Sequence, residues 1–151
     1  MQVFLVRHAE ATDVGDRRLS AEGRAQAAGL GERLRWHDCE PTQIWASPLA
    51  RAAETARLVR GALGGHAEVQ LVDDLAHGGD PRAVLAAVRD LPPTALVVLV
   101  GHEPGLSLIG AALTGTVHFP SLARGQAARI VDGRLKWRFA WNADAPVAQR
   151  T

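Results

Sequence analysis

The chain has 151 residues, 47% of them apolar and 22% charged, a length and balance that suit one globular domain with a sizeable core and exclude extensive disorder. Seventeen basic residues against sixteen acidic ones leave a formal net charge of +1, so nothing in the overall charge points to nucleic acid. A single cysteine, Cys39, excludes an intrachain disulfide and a thiolate metal site, and its surroundings give no sign of an activated thiol.

The opening MQVFLVRHAE lacks a secretory pattern, and no segment approaches a membrane span, so a cytoplasmic protein acting as a monomer is expected. Gln2 to Val6 is apolar without alternation, as in a strand buried on both faces, and Arg7-His8 follows at its C-terminal end. Glu10 to Arg18 is a polar loop. Ser20 is an N-cap, and Ala27, Leu30 and Leu34 predict a helix to about Trp36, ended by Pro41. Gln43 to Ala46 is a short strand. Ser47-Pro48 reads as an N-cap with proline at the first helical position, before a helix with the stripe Ala52, Ala56, Val59 and Leu63.

Val69 to Val72 is a short strand, and Asp73 to Asp80 a polar loop. Asp80 caps a helix from Pro81 whose inward face is Val84, Leu85, Val88 and Leu91, stopped by Pro92-Pro93. Ala95 to Val100 is the clearest interior parallel strand, with Gly101-His102 directly after it. Gly105 to Leu113 is a helix, and Leu113 to Gly125 a broad loop. Asp132-Gly133 marks a hairpin between Gln126–Val131 and Leu135–Trp141, with Leu135, Trp137, Phe139 and Trp141 on one face. The tail from about Ala143 is expected to be loose. This order predicts one domain over residues 1–151, a three-layer α/β/α sandwich with a mostly parallel central sheet and a C-terminal hairpin.

Ligands of such sheets gather beyond the carboxyl ends of the strands. Three clusters belong there: Arg7-His8, Gly101-His102, and Ser47 with Arg51 and Thr55, the last two sharing a helix face four residues apart. Guanidinium forks and helix N-termini both suit phosphate. A histidine attacks phosphorus well when its other ring nitrogen donates to a backbone carbonyl. Taken singly, each residue has a plainer use as a cap, a surface charge or a turn. Their joint placement on one sheet edge makes an anion site.

Four ordered stretches resemble the histidine phosphatase superfamily, with its phosphoglycerate-mutase-like fold. They are Arg7-His8-Ala9, where the family has Arg-His-Gly and alanine adds only a methyl; Leu19-Ser20-Ala21-Glu22-Gly23; Ser47-Pro48-Leu49-Ala50-Arg51-Ala52-Ala53-Glu54-Thr55-Ala56; and Gly101-His102-Glu103-Pro104. The short connection from Gly65 to Pro81 resembles the compact SixA-like branch, proposed phosphohistidine phosphatases acting on histidine-containing phosphotransfer domains. The resemblance implies that His8 attacks in line and becomes phosphorylated, while Arg7, Arg51, His102 and Ser47 hold the phosphoryl group. It implies that a protonated His102 would give activity an acidic limb.

Larger family members supply a carboxylic acid from the segment that Asp73, Asp74, His77 and Asp80 occupy here. Glu10 and Asp13 on the first loop are also in reach. Asp74, Asp80 and Glu10 are therefore the general-acid candidates, and the choice among them stays open. No cofactor and no metal are expected, because arginines beside the histidines would repel a cation. The expected partner is a phosphorylated protein or a small phosphorylated metabolite, with no nucleic acid and no membrane. A phosphomonoesterase for a sugar or nucleoside phosphate is the alternative enzyme reading. A non-catalytic phosphopeptide-binding domain is disfavoured by the intact Arg7, His8, Arg51 and His102. A Rossmann-type nucleotide domain is disfavoured because His8 stands where a glycine-rich loop would be.

Overall fold

Residues 1–142 and 147–148 are described by the computed structural model. In chain order the elements are β1 (Gln2–Arg7), α1 (Ala21–Trp36), β2 (Gln43–Ala46), α2 (Ala50–Leu63), β3 (Val69–Leu71), a short 3-10 turn (Asp73–Leu75), α3 (Pro81–Arg89), β4 (Leu96–Gly101), α4 (Gly105–Thr114), β5 (Gln126–Val131), β6 (Arg134–Ala140) and β7 (Val147–Ala148). The strands form one seven-stranded sheet in the order β3-β2-β4-β1-β5-β6-β7. β3, β2, β4 and β1 run parallel, and β5, β6 and β7 extend the sheet antiparallel from β1.

Alternation along the strands fills two helix-covered layers. Phe4 and Val6 of β1, with Val98 and Val100 of β4, face α1 and α2, where Leu30, Leu34, Ala52, Ala56 and Val59 complete a buried cluster. Val3 and Leu5, with Val97 and Leu99, face α3 and α4, where Val84, Val88, Leu106 and Ile109 pack. The unbroken apolar runs of β1 and β4 thus reflect burial on both sides, which is the three-layer sandwich expected.

Two details depart from the sequence reading. Ser47 does not cap α2: the helix begins at Ala50, and Leu49 precedes it with no side-chain cap. The Ser47 hydroxyl accepts from Leu49 N–H at 3.2 Å and is used elsewhere. Leu135 does not share a face with Trp137 and Phe139. A bulge between Arg129 and Ile130 in the β5–β6 pairing shifts the register by one residue, so Leu135 packs on the α4 layer while Trp137 and Phe139 join the α1–α2 layer. His37 is half-buried with its ring 5.7 Å from that of Trp137.

Of the tail expected to be loose, residues 143–146 and 149–151 lie outside the described residues, and Val147–Ala148 pair with β6. Cys39 is buried, and burial pushes its thiol up to about 12, in line with an inert residue. Among the described residues no helix is long and apolar enough to cross a membrane.

Candidate active site

β1 and β4 are adjacent and parallel, with Arg7 opposite Gly101, so His8 and His102 emerge side by side at the carboxyl edge of the sheet. Their ring centroids are 5.1 Å apart, and both residues are only 4% exposed. The His8 backbone N–H donates to the Gly101 carbonyl at 3.1 Å, fixing the first turn out of β1.

Backbone contacts from two further elements hold this turn. Ala9 N–H donates to Thr55 Oγ1 at 3.1 Å, and the Thr55 hydroxyl donates to the Arg51 carbonyl at 2.7 Å. The Gly125 N–H lies 3.2 Å from the Arg7 carbonyl and 3.1 Å from that of His8. Ala9 itself is fully buried with Leu19 and Ala27, which is where the extra methyl of this chain goes. Gly23 of α1 lies against the backbone of Glu10. A Cβ there would stand 1.9 Å from the Glu10 carbonyl oxygen, so only glycine lets the helix approach the first loop this closely.

The His8 Nδ1 is 2.8 Å from the Ala9 carbonyl, a pure acceptor, so Nδ1 carries the ring proton and Nε2 keeps its lone pair. Burial, with Arg51, Arg7 and Arg124 nearby, pushes the His8 pKa down to about 4 against the Ala9 hydrogen bond, so the ring is neutral at pH 7. The His102 Nε2 is 2.8 Å from Ser47 Oγ. Ser47 already accepts from Leu49 N–H, and its own hydroxyl proton is free to be donated to Nε2. That arrangement puts the His102 proton on Nδ1, a buried atom without a partner among the described residues. Burial, then the neighbouring imidazoles and arginines, pushes His102 down to about 3. Without a bound anion, His102 is thus a neutral N–H donor where the resemblance led to a protonated ring.

Arg51 is 8% exposed, and Arg7 is half-buried, donating from Nη1 to the Leu122 carbonyl at 3.0 Å. Burial depresses both guanidinium pKa values, and repulsion from Arg124 adds to it in each case. Both remain cations at neutral pH. Arg17 and Arg124 are exposed on flanking loops and add positive charge around Arg51; the sequence reading did not single them out, and only the fold brings their loops here. Glu103 opposes Arg7, with neither carboxylate oxygen partnered among the described residues.

The structure therefore unites Arg7, His8, Ser47, Arg51, Thr55 and His102. Ser47 is fully buried and bonds His102. The three acid candidates are otherwise engaged. Asp80 caps α3 through Arg82 N–H at 2.9 Å, Asp74 Oδ1 accepts from Asp80 N–H at 3.2 Å, and Glu10 Oε2 accepts from Gln26 Nε2 at 3.4 Å. His77, named in the sequence only as one of the residues of the Asp73–Asp80 loop, has its ring centroid 4.2 Å from that of His102.

A parallel sheet whose strand ends carry a tautomer-fixed imidazole ringed by guanidinium groups defines a phosphoryl-handling enzyme of the α/β class. Residues 3–78 match the model of the histidine phosphatase superfamily (branch 1), and the chain belongs to that superfamily. It is 35% identical over 115 residues to an uncharacterised protein of Picosynechococcus sp., covering 70% of this chain and 68% of that one. The protein histidine phosphatase SixA solved with tungstate superposes with a TM-score of 0.86 at 22% identity, covering 93% of this chain and 97% of that one. The putative phosphohistidine phosphatase SixA from Nakamurella multipartita gives 0.72 at 26% identity, covering 97% and 96%. Fold and relatives together support phosphatase activity.

Proposed function

We propose that this chain is a protein phosphohistidine phosphatase that works through a phosphorylated His8. The observation that carries the reading is the Nδ1–Ala9 carbonyl bond, which leaves Nε2 of a neutral, buried His8 as a nucleophile among guanidinium groups. In the first step Nε2 attacks phosphorus and the leaving group departs. In the second, water attacks the phosphohistidine and releases inorganic phosphate. Arg7 and Arg51 take the phosphoryl oxygens, and His102 donates from Nδ1. A preorganised donor of this kind is worth on the order of 3 kcal/mol of transition-state stabilisation. Ser47 acts through His102, holding its tautomer.

Two observations support a phosphoimidazole over an ester as substrate. Asp74, Asp80 and Glu10, the three acid candidates, each already hold a backbone or side-chain donor, which favours a leaving group that needs no carboxylic acid from them. A phosphohistidine protonated on its ring needs no such acid. The name carried by the tungstate-bound relative agrees with this reading. The test is turnover of a phosphohistidine-bearing phosphotransfer domain beside a panel of sugar and nucleoside phosphates, with His8→Ala as control. Preferred release from the phosphohistidine protein and an acid-labile phosphoenzyme lost in His8→Ala are expected. Faster turnover of a small phosphoester replaces the substrate assignment, and undiminished hydrolysis by His8→Ala removes the nucleophile.

A further inference from the structure

The loop between the 3-10 turn and α3 brings His77 over His102, with ring centroids 4.2 Å apart and planes inclined at 37°. His102 in turn neighbours His8 at 5.1 Å, so His77 stands one ring beyond the nucleophile. The loop is held there by Gly79, where a Cβ would lie 2.4 Å from the Asp74 carbonyl oxygen, and by the Asp80-to-Asp74 hydrogen bond. A cavity of about 190 Å³ opens beside the two rings, with Leu75, Leu106 and Ile109 among its walls.

Of the titratable side chains on this cavity, His102 is bound by Ser47, Asp74 accepts from Asp80, and Glu103 has no hydrogen-bond partner among the described residues but is a carboxylate in the field of Arg7. His77 is exposed, and neither of its ring nitrogens has a hydrogen-bond partner among the described residues. We propose that His77 is the proton-transfer residue of this site, facing the leaving group as it departs and the water that replaces it. This rests on the phosphohistidine reading of His8 above.

The His8 Nε2 lone pair forms the N–P bond while the bond from phosphorus to the leaving atom breaks. The released electron pair stays on that atom, which takes the proton of the His77 imidazolium. Water then attacks phosphorus and gives a proton to the neutral His77. The P–N bond breaks with its electron pair returning to Nε2, inorganic phosphate leaves, and His77 is again protonated.

Charge around His77 sets which half of this cycle is easy. Burial, then Arg51, Arg17 and Arg7, disfavour its imidazolium, with His102 stacked on one side and Asp74 and Glu103 on the same cavity. A free site therefore holds His77 ready as a base for water. Acting as an acid calls for a bound phosphoryl dianion to offset the arginines. A leaving group that arrives with its own proton avoids that demand, so the charge distribution and the phosphohistidine substrate agree.

The experiment is kcat/KM for p-nitrophenyl phosphate, phenyl phosphate and an alkyl phosphate with wild type, His77→Gln and His77→Asn. Loss of a general acid is expected to cost about 10²-fold or more on the alkyl ester, while p-nitrophenyl phosphate, whose leaving group needs no proton, changes less than about threefold by the same Brønsted argument. Circular dichroism and thermal melting that match wild type show that the variants fold. In both variants the phosphoenzyme, sampled by alkaline quench at successive times, should decay more slowly than in wild type. An equal loss on all three esters, or none, overturns the role of His77. Failure of the parent reading shows separately, as turnover by His8→Ala.

Discussion

Replacing Ser47 by alanine tests the most specific feature of the site. The hydroxyl is fully buried and links His102 Nε2 at 2.8 Å to Leu49 N–H at 3.2 Å. Its loss leaves the buried His102 Nε2 without a partner, at about 1–3 kcal/mol, and the part-buried Leu49 N–H as well, at about 1 kcal/mol. Stability should fall by about 2–4 kcal/mol, which for a domain of this size lowers Tm by roughly 5–15 °C. The His102 ring also loses the partner that keeps its proton on Nδ1. If that orientation is worth about 1–3 kcal/mol in the transition state, kcat/KM drops about five- to 150-fold. The decisive assay is a double-mutant cycle with His102→Ala, using p-nitrophenyl phosphate below the Tm of every variant. Because Ser47 acts through His102, the double variant should be no slower than His102→Ala alone. Fully additive losses would mean that Ser47 touches the substrate itself, and a single-variant loss under threefold would mean that the hydrogen bond does not set the ring.

Four further outcomes follow from the same geometry. Burial holds His8 at about 4 and His102 at about 3 in the free protein, so neither imidazole should protonate above pH 5 in an NMR titration, and a ring titrating near its ordinary 6.5 would refute the burial argument. Because the unfolded chain takes up these protons first, stability should fall as pH drops from 6.5 toward 4, by up to about 3 kcal/mol from His8 alone; denaturant unfolding at stepped pH measures it, and a flat profile contradicts it. Gly23→Ala would gain about 1 kcal/mol in an ordinary helix interior. Here a Cβ 1.9 Å from the Glu10 carbonyl oxygen forces α1 or the first loop to move, so urea unfolding should show a loss of about 2 kcal/mol or more, and a gain would refute the close approach. Arg51→Lys exchanges a fork for a point charge and should weaken tungstate binding about tenfold or more by calorimetry, while Arg57→Lys on the exposed face of the same helix should not; equal effects would remove Arg51 from the anion site.

Much of the site was legible because the relevant signals are local. Apolar runs identify β1 and β4 as interior strands, and whatever follows such a strand lands on the ligand edge, which places His8 and His102 before any contact is known. Arg51 and Thr55 fall on one side of α2 by helical spacing alone. What escaped depends on register and on long-range packing. The bulge at Arg129–Ile130 is one extra residue on β6, invisible in an alternating pattern, yet it sends Leu135 to the opposite face. Ser47 looks like a helix cap because serine before proline usually is one; only the approach of His102 across the sheet reveals its other use. His77 sits in a polar loop whose path is set by Gly79 and Asp74, so no periodicity marks it.

The site's cations pose a physical problem that the fold solves through its backbone. Arg7, Arg51, Arg17 and Arg124 repel one another in the empty site, and burial raises the cost for the first two. A loose loop would relieve that repulsion by splaying. The Arg7-His8-Ala9 turn has no such freedom: His8 N–H is tied to β4, Ala9 N–H to α2 through Thr55, and the Arg7 and His8 carbonyls to Gly125 ahead of β5. Three separate elements thus fix it, and each tie uses a backbone group that burial would otherwise leave unsatisfied. The repulsion is retained as a standing preference for an anion, which a phosphoryl group held as proposed would relieve. The geometry is set before substrate arrives, which is the condition under which fixed donors act on a transition state at low reorganisation cost.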